Sequence, residues 1–476
     1  MKRNEFIKIT GTLAAGALLP ANYLFSENLA EDFPTVRTAL ALRKFSSEAV
    51  EKAIASFKQK VGNNELAWLF ENCFPNTLDT TVDFEMMDGR PDTYVITGDI
   101  DAMWMRDSSA QVWPYLQFIK TDKHLQQMVE GVINRQVKNI LLDPYPNAFY
   151  KDVNKVSEWK SDLTEMKPGV HERKWEIDSL CYPIRLAYHY WKFTGDEKPF
   201  DAQWLQAIQL ILKTFKQQQR KENDGPYSFQ RRTAWATDGV PMNGFGYPVK
   251  PVGLICSSFR PSDDATVFTF LIPSNFFAVV SLRQAAEMVK AIRKDNATAS
   301  QLLALATEVE KALQEHAVVT HKKFGPVYAF EVNGMGSYNL MDDANIPSLL
   351  SMPYLGSVKN TDSTYINTRR FVLSDSNPFY FKGKAAEGIG GPHVGKDMVW
   401  PMSIIMRGLT STGDEELKSC ISTLQRSHGG TGFMHESFHK DDSKNFTRKW
   451  FAWANTLFGE LLWKTFNERP HMLMNN

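Results

Sequence analysis

The sequence lacks a charge bias: Lys plus Arg and Asp plus Glu number 54 each among 476 residues. With zero formal net charge, bulk electrostatics draws the chain neither to nucleic acid nor to an anionic membrane. A neutral partner such as a sugar is compatible with that balance. Cysteine is scarce as well. Cys73, Cys181, Cys256 and Cys420 stand far apart and form no CxxC pair. This spacing argues against a zinc or disulfide framework and for small apolar core residues, one bridge staying open if the protein is exported. No GxGxxG or GxxxxGK[ST] segment occurs, so nucleotide chemistry has no signature here. No HExxH occurs, the 10 histidines are scattered, and no acidic loop has calcium spacing. Asp99 and Asp101 could take a cation; otherwise the expectation is no metal and no cofactor. After the N-terminus no run reaches the ~18 consecutive apolar residues of a membrane span. Also missing are a Pro/Gly/Ser linker and any alternation of strands with helices, which speaks for one domain outside the α/β class.

What is present begins with Lys2 and Arg3 ahead of a short, weakly apolar run, Gly11 to Leu19. The run is too short to cross a bilayer and reads as an export signal over residues 1–26, removed from the mature chain. Lys2-Arg3-Asn4-Glu5-Phe6-Ile7-Lys8 resembles a twin-arginine signal with Lys in place of the first Arg. The mature protein, 27–476, is then expected in the periplasm or outside the cell.

Helical periodicity dominates the rest. Ser46-Ser47 can cap a helix through Val50, Ala53 and Phe57, and Asn64-Glu65 opens another. Further helices are predicted over roughly 107–119, 122–141, 177–193, 199–219, 274–293, 298–316, 343–350, 361–373, 398–410, 414–425 and 448–465. Thr194-Gly-Asp-Glu197 and Thr412-Gly-Asp-Glu415 each lie between two of them. Gly195 and Gly413 suit a left-handed helix end, and Asp196 and Asp414 suit the next cap, as in a ring of helical hairpins. Strand signals are few: Val82–Met86 and Thr93–Ile96 flank Asp88-Gly-Arg-Pro91 as a β-hairpin, and Val327–Phe330 is a second short candidate. The stretch Asn223–Asp264 is rich in turn residues yet dotted with aromatics, and reads as an ordered loop over a site.

Five segments could carry chemistry. In Gly98-Asp-Ile-Asp-Ala-Met-Trp-Met-Arg-Asp-Ser108, Arg106 beside Asp107 forms a donor–acceptor pair suited to vicinal hydroxyls, and Trp104 offers a flat face for a sugar ring. In Phe259-Arg-Pro-Ser-Asp-Asp264, Ser262 would cap a helix with the acids in its first turn, while the neighbouring Phe residues could keep one carboxyl protonated. In His428-Gly-Gly-Thr-Gly-Phe-Met-His-Glu-Ser-Phe438, glycines would let the backbone approach a ligand, and Glu436 between His435 and Ser437 suits a general base. Gly388-Ile-Gly-Gly-Pro-His-Val-Gly395 would present His393. The segment His171-Glu-Arg-Lys-Trp-Glu-Ile-Asp178 adds polar and aromatic groups, with His171 equally suited to the surface.

Taken in order between about Asn63 and Trp463, the segments GDIDAMWMRDS, WEIDSLCYP, FRPSDDA, IPSNFFA, GGTGFMHESF and KWFAWAN resemble glycoside hydrolase family 125. The resemblance implies an all-α fold, an (α/α)6 barrel with a minor β-hairpin. It implies a metal-independent, inverting exo-α-mannosidase acting mainly on α-1,6-linked mannose of a glycan. Asp263, with Asp264 as the close alternative, would be the general acid and Glu436 the general base. Arg106 and Asp107 would hold the terminal mannose, helped by Trp104, Ser108, Arg260, Asp264, His393 and His435. Inverting hydrolysis asks for carboxyls roughly 6.5–9.5 Å apart, which a closed ring of hairpins can supply from distant segments. The rival readings are another helical-barrel carbohydrate enzyme, such as a phosphorylase or glucosidase, and a non-catalytic glycan-binding protein.

Overall fold

A computed structural model of the protein describes residues 33–474; the expected export signal, residues 1–26, lies outside them. Among the described residues thirteen α-helices follow one another: α1 Glu48–Lys60, α2 Asn64–Cys73, α3 Asn76–Thr80, α4 Met105–Val112, α5 Lys123–Leu142, α6 Asp178–Thr194, α7 Ala202–Gln218, α8 Ile272–Met288, α9 Asn296–His316, α10 Ser363–Val372, α11 Pro401–Leu409, α12 Asp414–Ser427 and α13 Ala452–Glu468. From Thr35 onward the chain forms one compact unit.

Two sets of helices differ in how they begin. Ser47, Asn63, Asp122, Asp201, Asp295 and Asp362 each accept a first-turn N–H, capping α1, α2, α5, α7, α9 and α10. Helices α4, α6, α8, α11 and α13 have no side-chain cap. These uncapped helices form the inner ring, α6 packing on α4 and α8, and α13 packing on α4 and α11. Between α8 and α11 the ring is completed by turns rather than a helix. Tyr182 of α6 donates to the carbonyl of Ile346 (3.1 Å), and Tyr354 donates to Glu460 of α13 (2.9 Å). Outside them α5, α7 and α9, all capped, pack in succession, and capped α2 packs on α12, which opens at Gly413 without a side-chain cap. The inner faces are almost wholly buried, with Tyr182, Phe277, Trp453 and Phe458 among the core.

The expected hairpin is Val82–Met87 paired antiparallel with Arg90–Val95, turning at Asp88 and Gly89, both at positive φ. Further small sheets accompany it, including Val318–His321 with Gly325–Tyr328 and the three-stranded Met103–Trp104, Ala148–Phe149, Val170–Glu172. All four cysteines are buried and free.

Four local expectations are corrected. Residues 343–350 are turns, because both carboxylate oxygens of Asp342 accept backbone N–H groups, from Leu349 (2.8 Å) and Leu350 (3.0 Å), and close the chain on itself. Gly195 does end α6 in the left-handed region (φ 69°), but Asp201, not Asp196, caps α7. Gly413 has φ −110° and itself opens α12, so Asp414 is already helical. The segment Arg260–Asp264 opens no helix; α8 begins at Ile272.

Candidate active site

The site is built where the uncapped ends of α4, α11 and α13 meet. Strand Met103–Trp104 runs into α4, so Trp104 stands at its first turn with Arg106 and Asp107 directly following. Asn147 binds this strand to its neighbours: its carbonyl accepts from the Met105 N–H (2.9 Å), and its amide donates to Glu172 (2.9 Å) and to Asp263 (3.1 Å). The next segment, Lys174–Ile177, is locked to 256–259. Trp175 Nε1 donates to the Cys256 carbonyl (2.7 Å), and the Ile177 N–H donates to Ser257 Oγ (3.1 Å).

From there the chain turns in a tight hairpin closed by the Phe259–Ala265 bridge. Asp263 donates its N–H to the Arg260 carbonyl (2.9 Å), and Arg260 donates its N–H to the Asp264 carbonyl (2.8 Å). Pro261 favours such a turn, and Asp263 sits at φ 66°, a conformation that costs about 1 kcal/mol or more for a residue with a Cβ. The hairpin separates the two neighbouring acids. Asp263 reaches the cavity with its side chain 20% exposed. Asp264 is buried, accepts from Ser262 Oγ (3.0 Å) and faces His393 at 3.7 Å.

Arg106 is the centre of the site's electrostatics. Its guanidinium contacts Glu176 (2.5 Å), Asp178 (3.2 Å), Asp263 (3.2 Å) and Asp107 (3.5 Å), and these carboxylates hold its proton firmly against burial. Burial lifts Asp107 and Asp178 to about 6. It lifts Glu176 well above the usual carboxylate range, further than the facing Arg106 lowers it. At Asp263 burial works the same way but is outweighed by Arg106 and Lys174, which hold it below that range.

The opposite end of the chain supplies Glu436. Thr447 Oγ1 donates to it at 2.9 Å, and Arg448 stands at 3.5 Å while also pairing with Asp99. His393 completes the polar set. Burial lowers its affinity for a proton, yet Asp264, Asp263 and Glu436 together raise it to about 9. Asp263 and Glu436 line one cavity of about 220 Å³, with Trp104, Arg106, Asp107, Asn345, His393, Trp400, Phe451 and Trp453. At ~30 Å³ per water this is on the order of seven waters, the scale of one sugar ring rather than an oligosaccharide. The indole N–H groups of Trp104 and Trp400 are buried without a protein acceptor. A larger surface hollow of about 1150 Å³ between α7 and α9 is lined mainly by Lys, Gln and Glu and contains none of the motif residues.

Several expected ligands stand elsewhere. Ser108 is turned about 100° per residue away from Arg106 along the helix; it accepts from Gln136 (3.0 Å) against α5. Arg260 points beneath the hairpin to Glu331 (2.7 Å). His435 is buried and stacked on Phe446 at 3.8 Å, with its ring nitrogens on the carbonyls of Lys449 and His428. Asp264 acts on His393 rather than on the cavity. The glycines at 429–432 do not line it either: Gly432, at φ 78°, packs where a Cβ would lie 2.8 Å from Trp68. His171 is not at the surface; it is buried edge-on to Trp104 and bonded to Tyr150 (3.0 Å). Asp99 and Asp101 pair with Arg448 and Lys155.

Sequence reasoning missed Asn147, Arg448 and Asn345, and gave Lys174, Glu176 and Asp178 no role beyond their segment. Glu176 and Asp178 were visible as acids beside Trp175. Their convergence on Arg106, 70 and 72 residues earlier, has no sequence signal.

Residues 63–463 match the family described as metal-independent α-mannosidase, GH125. A fission yeast protein, the meiotically up-regulated gene 157 protein of Schizosaccharomyces pombe, is 42% identical over 461 residues, 93% of this chain and 90% of that one. A metal-independent α-mannosidase of Streptococcus pneumoniae, solved in a non-productive complex with α-1,6-mannobiose, is 39% identical. It superposes with a TM-score of 0.86 over 90% of this chain and all of its own. A bacterial glucoamylase complexed with acarbose shares the (α/α)6 barrel at a TM-score of 0.55 and 13% identity, over 88% of this chain and 58% of that one. A match over nearly the whole described fold, carried by both sequence and structure, places the chain in glycoside hydrolase family 125, the metal-independent α-mannosidases.

Proposed function

We propose that this protein is an exported, inverting exo-α-mannosidase that removes terminal α-1,6-linked mannose, with Asp263 as general acid and Glu436 as general base. The observation that carries the reading is that these two carboxyls, distant in sequence, line one cavity sized for a single sugar ring. Inverting hydrolysis needs one carboxyl to protonate the departing oxygen and a second to take a proton from water on the opposite face of the ring. Arg106 and Asp107 offer a donor and an acceptor to vicinal hydroxyls of the bound mannose. Trp104 and Trp400 add aromatic walls to the same cavity. Thr447 and Arg448 fix the carboxylate of Glu436, so the attacking water meets an oriented base. His393, carrying positive charge, balances the carboxylates that face it. The α-1,6 preference draws support from the mannobiose bound to the Streptococcus pneumoniae relative. The N-terminal segment supports export.

The test is hydrolysis of α-1,6-, α-1,2- and α-1,3-mannobiose followed by NMR, with and without EDTA. We expect β-mannose as the first product, fastest from the α-1,6 isomer and unaffected by chelation. Release of α-mannose first would overturn the inverting mechanism. Asp263→Asn and Glu436→Gln should each lower kcat by ~10²-fold or more while melting like the wild type. Full turnover by Glu436→Gln would remove that residue from the mechanism.

A further inference from the structure

Four carboxyls surround the single guanidinium of Arg106: Asp107, its neighbour on α4, Glu176 and Asp178 from the segment entering α6, and Asp263 from the hairpin. The other cations nearby are already engaged. Lys174 Nζ binds the Asp263 carbonyl (2.9 Å), Asp238 (2.5 Å) and Glu172 (3.4 Å), Arg448 serves Glu436 and Asp99, and His393 faces Asp264. Burying several negative charges against one positive charge is costly enough that the cluster keeps protons.

Two carboxylate oxygens around Arg106 are buried without a donor, Asp178 Oδ1 and Glu176 Oε1. Glu176 is fully buried, and its Oε2 accepts from Arg106 and from Ser179 Oγ (3.0 Å). Its Oε1 is buried and has no donor. That oxygen is unsatisfied as a carboxylate and asks for a proton, and Asp263 is held on the other terminal nitrogen of the same guanidinium, Glu176 on Nη1 and Asp263 on Nη2. Asp263 already accepts from Arg106 and Asn147 and is the member of the set that opens on the cavity. We propose that Glu176 is a positioning residue that holds, on Oε1, the proton which Asp263 delivers to the departing glycosidic oxygen.

In the step, the Glu176 O–H bond breaks as its proton passes to Asp263. The glycosidic oxygen takes a proton from Asp263 and leaves with the electron pair of its bond to the sugar. Water forms the new bond to the sugar carbon and gives its proton to Glu436. Exchange with solvent returns one proton to the Glu176–Asp263 pair and removes one from Glu436. The directions of titration agree: burial favours the neutral form of both acids, and Arg106 with Lys174 overrules it at Asp263.

This proposal rests on the hydrolase reading of Asp263, and leaving-group chemistry separates the two. α-1,6-Mannobiose needs a proton on its leaving oxygen, whereas 2,4-dinitrophenyl α-mannoside does not. With the full chain, Glu176→Gln should lower kcat on mannobiose by ~10–10²-fold with little change in KM, and should leave turnover of the dinitrophenyl mannoside within about threefold. It should also shift the alkaline limb of the mannobiose pH profile to lower pH, because Asp263 then ionises without a proton held beside it. Glu176→Asp should restore part of the mannobiose rate. Equal loss on both substrates with an unmoved pH limb, or no loss on mannobiose, would overturn the role of Glu176. Asp263→Asn, measured alongside, reads the general acid itself: if it lacks the leaving-group dependence, the role of Asp263 fails whatever Glu176 does. Should neither Glu176 variant fold, infrared spectra of the wild type decide; absence of a neutral-carboxyl band at neutral pH would overturn the proposal.

Discussion

Arg106 ties three stretches of chain together through one side chain: its own helix, the segment at 176–178, and the hairpin at 263. Its removal leaves Glu176 and Asp178 buried without their cation. Arg106→Leu is therefore expected to cost about 3–5 kcal/mol of stability, read as a shift of the urea midpoint, beyond any loss of activity. His393 gives a second test at this scale. Its folded pKa of about 9 lies above the ordinary 6.5, so protonation stabilises the fold fully below about pH 6.5, and that contribution fades as pH rises through 9. The difference in Tm between wild type and His393→Gln should accordingly be largest near pH 6 and absent near pH 10. Residues at this scale were legible where a motif held them. Asp263, Glu436, Arg106, Asp107, Trp104 and His393 all stood out in the sequence and all line the cavity. Ser108 and His435 stood out equally, and the reason they fail is directional: helix rotation turns one away, and stacking on Phe446 fixes the other.

The elements show why some segments could be read and others not. Helices with a polar N-cap and a periodic apolar face, such as α1, α5 and α9, announce themselves locally. The turns at 343–350 look helical by their apolar residues, and only the two backbone bonds to Asp342 say otherwise. The hairpin at 259–265 reads as a helix start because Ser-Asp-Asp is the usual cap chemistry; the bridge across Phe259 and Ala265 decides it. One element contact depends on a missing side chain. Gly131 lets α5 lie against strand Arg90–Val95, where a Cβ would stand 2.9 Å from the backbone of Asp92 and Thr93. Gly131→Ala should destabilise by ~1–3 kcal/mol in chemical denaturation without altering kcat, since it touches no cavity residue.

At the scale of the molecule, the cavity is walled by the first turns of α4 and α13 and by the segments that lead into the inner ring. The six capped helices satisfy an N–H of their own first turns, whereas α4, α11 and α13 begin at the site without a side-chain cap. The ring is joined by contacts between segments far apart in sequence: Trp113 beside α4 donates to Glu460 of α13, 347 residues on (3.1 Å). Contacts of that separation form late, after the helices that need only neighbours. During refolding from denaturant, far-UV ellipticity should therefore return ahead of mannoside hydrolysis, and a mixed time course in which both recover together would contradict this. A chain with most of its helices in place would still be inert, because the pocket does not exist in any one hairpin; catalytic competence arrives in a single late event, when the two ends of the ring find each other.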